Sequence, residues 1–151
     1  MGFTHELGHL LVGWAGGGEL QEAELRPWRL PHSRFAPDPH PLATLWGGPV
    51  LGIALPVVLA AMIRAEWAWF IASFCVLANG VYLTLAWLSG DRWLDTPRLL
   101  AEGASKRSIA SYSVIAIALG YWQFRRSVLR ALRPIGEANT AATTGKHSER
   151  P

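Results

Sequence analysis

The chain is poor in charge and nearly free of cysteine. Asp, Glu, Lys and Arg make up only 17% of its 151 residues, and a single Cys rules out both an internal disulfide framework and a CxxC metal site. Any metal therefore has to be held by His and carboxylates. There is no Gly-rich phosphate loop and no basic stripe interleaved with aromatics, so the net charge of +3 does not point to a nucleic-acid partner. Lys and Arg instead sit in short stretches beside apolar runs, such as Lys106-Arg107 and Arg125-Arg126, where membrane flanks carry them. Cys75 lies inside an apolar run with no His near it in sequence, which reads as a small buried hydrophobe rather than a nucleophile.

What the chain does have is length without charge. Pro41 to Ile63 and Trp67 to Leu88 contain no charged residue, and each exceeds the ~20 residues a helix needs to cross a ~30 Å hydrocarbon layer. Only Arg64-Ala65-Glu66 separates them, so two spanning helices there must run antiparallel. Trp67, Trp69 and Trp87 fall near the ends of these runs, where aromatic belts sit. Ser108 to Phe124 is shorter and more polar, but Tyr121, Trp122 and Arg125-Arg126 give it an interfacial stop, and it is expected to form a further span. The expectation is an all-α, multi-pass membrane protein with three or four transmembrane helices. Basic residues are nearly balanced between the two sides and do not set its orientation.

The first segment, Gly2 to Ala15, is different. At 1.5 Å per residue it reaches only about 21 Å, too short to cross. Either sequence upstream of Met1 completes it or it enters the membrane part way. It lacks the basic start of a secretory signal, and Glu6 interrupts its apolar core. Gly16-Gly17-Gly18 ends it. Glu19 to His40, with Pro27, Pro31, Pro37 and Pro39, reads as an irregular loop with room for a short strand at Glu22 to Leu25. Residues 1–133 form the expected membrane domain; 134–151 hold too few apolar side chains to repay ordering and read as a disordered tail.

The first helix carries the chemistry. His5 and His9 are four residues apart, which puts both imidazoles on one helix face a turn apart, close enough to share a tetrahedral zinc. Glu6 follows the first histidine and can reach a water at the metal as general base. The bland reading, a solvated helix end, sits poorly with Phe3, Leu7, Leu10, Leu11 and Val12 around the charged group, because ionisable clusters in an apolar helix are costly without a partner or a metal. A catalytic zinc takes three protein ligands and keeps one position open. The leading candidates for the third are Asp91 and Asp95, just beyond the second charge-free run; Glu102, His32 and His40 remain open as donors.

His5-Glu6-Leu7-Gly8-His9, Trp46-Gly47-Gly48-Pro49-Val50-Leu51-Gly52 and Leu94-Asp95-Thr96-Pro97-Arg98-Leu99-Leu100 together resemble the site-2 protease family, the M50 class of intramembrane metallopeptidases. The last of these is similar to that family's LDGG segment, with Thr96-Pro97 standing where the glycines are. The resemblance implies zinc bound by His5, His9 and Asp95, with Glu6 as catalytic base. It further implies hydrolysis of peptide bonds in or near the bilayer, in membrane proteins or peptides as substrates, within the cell (inner) membrane. The rival expectation is a non-proteolytic relative that keeps the fold, and with it the metal, as a scaffold. Asn79 and Gly47, Gly48, Pro49 and Gly52 are expected to act in helix packing. His32 and His40 read as exposed loop residues.

Overall fold

The computed structural model describes residues 2–147 except 27, 28 and 30, and side chains only as far as residue 132. Among the described residues there are five helices and one two-stranded sheet: α1 Gly2–Ala15, β1 Leu20–Glu24, β2 His32–Phe35, α2 Pro41–Ile63, α3 Glu66–Ser89, α4 Asp95–Ala101 and α5 Lys106–His147. Two of the helices, α2 and α3, are long and apolar enough to cross a membrane. The fold is mostly helical, as the apolar runs suggest.

Helix boundaries follow local chemistry. Pro41 opens α2, a position where the missing N–H costs nothing. Gly90 ends α3 in the left-handed conformation that glycine adopts freely. Arg64 ends α2 in that same conformation, φ 57°, with its N–H on the Ala60 carbonyl. The two-residue connection, Arg64-Ala65, then reverses the chain, and Ala60, Ala68 and Ala72 let α2 and α3 close tightly beside it.

Helix contacts are made through glycine. Gly8 of α1 lies on the backbone of Gly47 and Gly48 in α2, and a methyl group on Gly120 of α5 would come within 2.5 Å of the Leu77 backbone in α3. Small residues at such crossings allow the backbones to touch. On the outward faces of α2 and α3, Val58, Met62, Trp67, Ile71, Phe74 and Leu88 are all exposed.

The segment expected to be an irregular loop is a hairpin. β1 and β2 pair antiparallel, with Glu22 opposite Arg34, Ala23 opposite Ser33 and Glu24 opposite His32. The strand is thus longer than Glu22 to Leu25 and begins earlier, because it has a partner that local sequence does not reveal. The side chains of β2 alternate, His32 and Arg34 outward and Ser33 buried, as the two-residue period of a strand requires. Phe35 anchors the hairpin against Gly13 and Gly18 at the end of α1.

The Ser108 to Phe124 run lies inside the much longer α5, and it does not meet the length and apolarity that α2 and α3 do. The α5 backbone continues to His147, into the stretch expected to be an unordered tail; the side chains of 133–151 and the whole of 148–151 lie outside the described residues.

Candidate metal centre

Three elements distant in sequence meet at one buried cluster. α1 brings His5, Glu6 and His9; α4 brings Asp95; β2 brings Ser33; all five side chains are less than one-tenth exposed. The facing surface of α2 supplies Gly48, whose missing side chain makes the room. A methyl group there would overlap His9 Nε2 and lie 2.8 Å from His5 Nε2.

Asp95 reaches this depth because the chain turns back after α3. Leu99 is fully buried with Leu45 and Ile109, and Trp46 and Trp87 pack on them, which fixes α4 among α2, α3 and α5. Thr96, fully buried, donates its hydroxyl to the Leu83 carbonyl at 2.8 Å and ties the start of α4 to α3. Thr96 thus pins the turn through a side-chain hydrogen bond that glycine cannot make.

The donor atoms converge. His5 Nε2 stands 2.6 Å from Asp95 Oδ2, and His9 Nε2 stands 3.5 Å from Asp95 Oδ1. His9 Nδ1 donates to the Thr44 carbonyl at 2.8 Å, since a carbonyl can only accept. In the neutral ring that bond leaves a lone pair on Nε2, which is buried without a hydrogen-bond partner and faces a carboxylate oxygen. Two lone pairs facing one another in a buried site call for a cation or a proton between them. His5 Nδ1 is likewise buried and unpartnered. His5, Glu6 and His9 form a group able to hold a metal ion, with one ligand atom from each, all within 4.8 Å of one another.

Glu6 is placed differently from Asp95. Its Oε2 accepts a hydrogen bond from Ser33 Oγ at 3.1 Å, so the hairpin orients the carboxylate. A cavity of about 370 Å³ adjoins the cluster, lined by His9, Ser33, Thr44, Asp38, Arg98 and Glu102 among others. It lies between the hairpin and α4.

The remaining candidates lie elsewhere. Asp91 is exposed and accepts the Trp93 N–H at 3.0 Å. His32 is exposed, 3.4 Å from Glu22 across the hairpin. His40 is exposed before α2, and Glu102 is exposed on the cavity wall. Cys75 is buried, in keeping with its reading as a small hydrophobe. Tyr112 donates its hydroxyl to the Pro49 carbonyl at 2.5 Å and approaches Asn79 Oδ1 at 3.5 Å, which links α2, α3 and α5 behind the site. Sequence reasoning missed Ser33, the Thr44 carbonyl and Tyr82, whose ring packs edge-on against His5 at 5.4 Å. No local pattern in the sequence marks any of the three, because each acquires its role only when β2, α2 and α3 pack against α1.

Glycine positions separate site from fold. Gly48→Ala is expected to fold, because the groups it meets are the ends of side chains that can swing away, but to lose metal as those imidazoles leave the cluster. Gly8→Ala meets the Gly47 backbone instead and is expected to cost about 1–3 kcal/mol of stability, the usual penalty for overpacking. Thermal unfolding and metal analysis of the two variants check this; equal metal content in Gly48→Ala and the parent contradicts it.

No protein-family model, curated protein or solved structure matches the chain.

Proposed function

We propose that this protein is a multi-pass integral membrane protein of the cell (inner) membrane and a zinc-dependent endopeptidase of the site-2 protease type. The observation that carries the reading is the convergence of His5 Nε2, His9 Nε2 and the Asp95 carboxylate in a buried site, with Glu6 alongside and held by Ser33. His5, His9 and Asp95 would hold the ion. Their donor set of two imidazoles and one carboxylate suits zinc with a position left open. When bound, zinc supplies a Lewis-acid charge that lowers the pKa of water toward ~7 and polarises a carbonyl.

The protein's own groups do the rest. Glu6, oriented by the Ser33 hydroxyl, takes a proton from water as it attacks the scissile carbonyl and returns it to the departing amine. The Thr44 carbonyl fixes the His9 tautomer, and the buried α1–α2 contact excludes bulk water from one side of the site. Substrates are membrane proteins or peptides, as the resemblance implies, entering through the cavity beside His9.

The membrane setting rests on α2 and α3 and on their exposed apolar faces. α2 is about 34 Å long at 1.5 Å per residue, and His5 and His9 meet it at Gly48, roughly a third of the way in from Pro41. On this reading α2 carries the cluster into the bilayer, about a third of the way along its length. The counts of basic residues leave the orientation open.

The second reading, a membrane scaffold without turnover, draws on the 2.6 Å His5–Asp95 contact, a pair that closes on itself without a metal. Chelation separates the two. Detergent-solubilised protein incubated with a helical membrane substrate is expected to cleave it, to lose cleavage on chelation, and to regain it on addition of zinc. Cleavage unaffected by chelation, or none in any zinc-loaded sample, defeats the peptidase reading.

A further inference from the structure

At the end of the bundle far from the hairpin, several basic side chains gather. Arg64 leaves α2, and Arg125, Arg126 and Arg130 line the same end of α5; among the described residues, Glu66 is the one carboxylate beside them. Among the described residues, none of the four arginines forms an ion pair. Arg126 lies over the Trp122 ring, 4.5 Å from its centre. Arg64 holds a left-handed conformation, φ 57°, that side chains other than glycine adopt at a cost, and this places its guanidinium at the turn between α2 and α3.

Directly beneath, an apolar groove of about 280 Å³ runs between α2, α3 and α5. Ile53, Val57, Trp69, Val76, Leu119 and Trp122 are among its walls. Trp69 also lines a second, polar hollow of about 240 Å³ together with Arg64, Glu66, Ser127 and Arg130. On α5, Leu119, Gln123, Ser127 and Arg130 follow one another at helical spacing along one face, and Trp69 lines both cavities, so the apolar groove and the basic hollow lie side by side. A ligand suited to both has a hydrocarbon tail and an anionic head.

We propose that this groove is a binding site for one anionic phospholipid, with an acyl chain against Trp69 and Val57 and the phosphate between Arg64 and Arg130. It rests on the membrane reading above but not on the metal or the peptidase activity. Charge complementarity selects the occupant: a second copy of the chain would bring the same four arginines to the interface, whereas a lipid phosphate neutralises them. Basic pockets between spanning helices are suited to such headgroups.

The test is native mass spectrometry of the full chain in detergent, titrated with phosphatidylglycerol or with phosphatidylcholine of the same acyl chains. One phosphatidylglycerol per chain is expected to be retained in preference to phosphatidylcholine. Each arginine is expected to contribute about fivefold, so the double variant Arg64→Gln, Arg130→Gln loses about 25-fold in phosphatidylglycerol affinity and leaves phosphatidylcholine unchanged. Glycerol phosphate, which has the head without the tail, is expected not to displace the lipid at equal concentration. Equal retention of both lipids, an unaltered double variant, displacement by glycerol phosphate, or a dimer in place of the adduct each overturns the site. Flotation of the parent with neutral phosphatidylcholine vesicles is measured alongside. Failure to float defeats the membrane reading itself, whereas flotation without selective retention defeats the lipid site alone.

Discussion

Glu6→Gln is expected to keep its zinc and to lose cleavage by about 10²–10⁴-fold, the range by which a positioned proton acceptor accelerates such a step. The change removes one basic oxygen and almost no volume. An amide still accepts from the Ser33 hydroxyl, so the side chain stays where the carboxylate was. What it cannot do at neutral pH is take a proton from water. Cleavage of a membrane substrate and metal content, measured on the same preparation, are the readouts. Parallel loss of both would make Glu6 a metal ligand, and equal cleavage by parent and variant would end the hydrolase reading.

Asp95→Ala is expected to have the opposite signature, with metal lost first and activity lost as a consequence. Removing a partner that merely orients a ligand weakens metal binding by ~10–100-fold, and removing a ligand should weaken it by more than ~100-fold. The variant also strips His5 Nε2 of its 2.6 Å contact and leaves two imidazoles facing an apolar gap. Asp91→Ala and Glu102→Ala are expected to retain full metal content, since both side chains are exposed and neither contacts His5 or His9. Metal analysis after dialysis decides among the three. Loss confined to the Glu102 variant would move the third ligand to the far wall of the cavity and overturn the assignment of Asp95.

The placement of α1, α2 and α3 and half of the candidate site were legible from residue order, whereas α4 and the full length of α5 were not. The charge-free runs gave α2 and α3 nearly to the residue, because burial of an apolar helix is a property of composition over ~20 positions. His5 and His9 were legible because a four-residue spacing fixes a shared face whatever surrounds the helix. The hairpin was only half visible. Strands depend on a partner, and β2, with His32 and Arg34 facing out, has little apolar pattern of its own.

The choice between Asp91 and Asp95 lay out of reach of spacing. The two are four residues apart in the same turn-prone segment, and which one is buried depends on Leu99 seating against Leu45 and Ile109 and on Thr96 bonding to Leu83. Ser33 was out of reach for the same reason, its role created by the docking of Phe35 on the glycines at the end of α1.

By itself the sequence determined where α1, α2 and α3 form, that two of them are long and apolar enough for a bilayer, and that two imidazoles share one face. Those are properties of short windows, governed by local geometry and transfer of side chains from water. Only the tertiary structure decided which carboxylate meets the imidazoles, which hydroxyl orients Glu6, and that Gly48 leaves the space they occupy. Such contacts join residues as many as 90 positions apart, and their energies exist only once the backbones of α1, α2 and α4 have closed on one another.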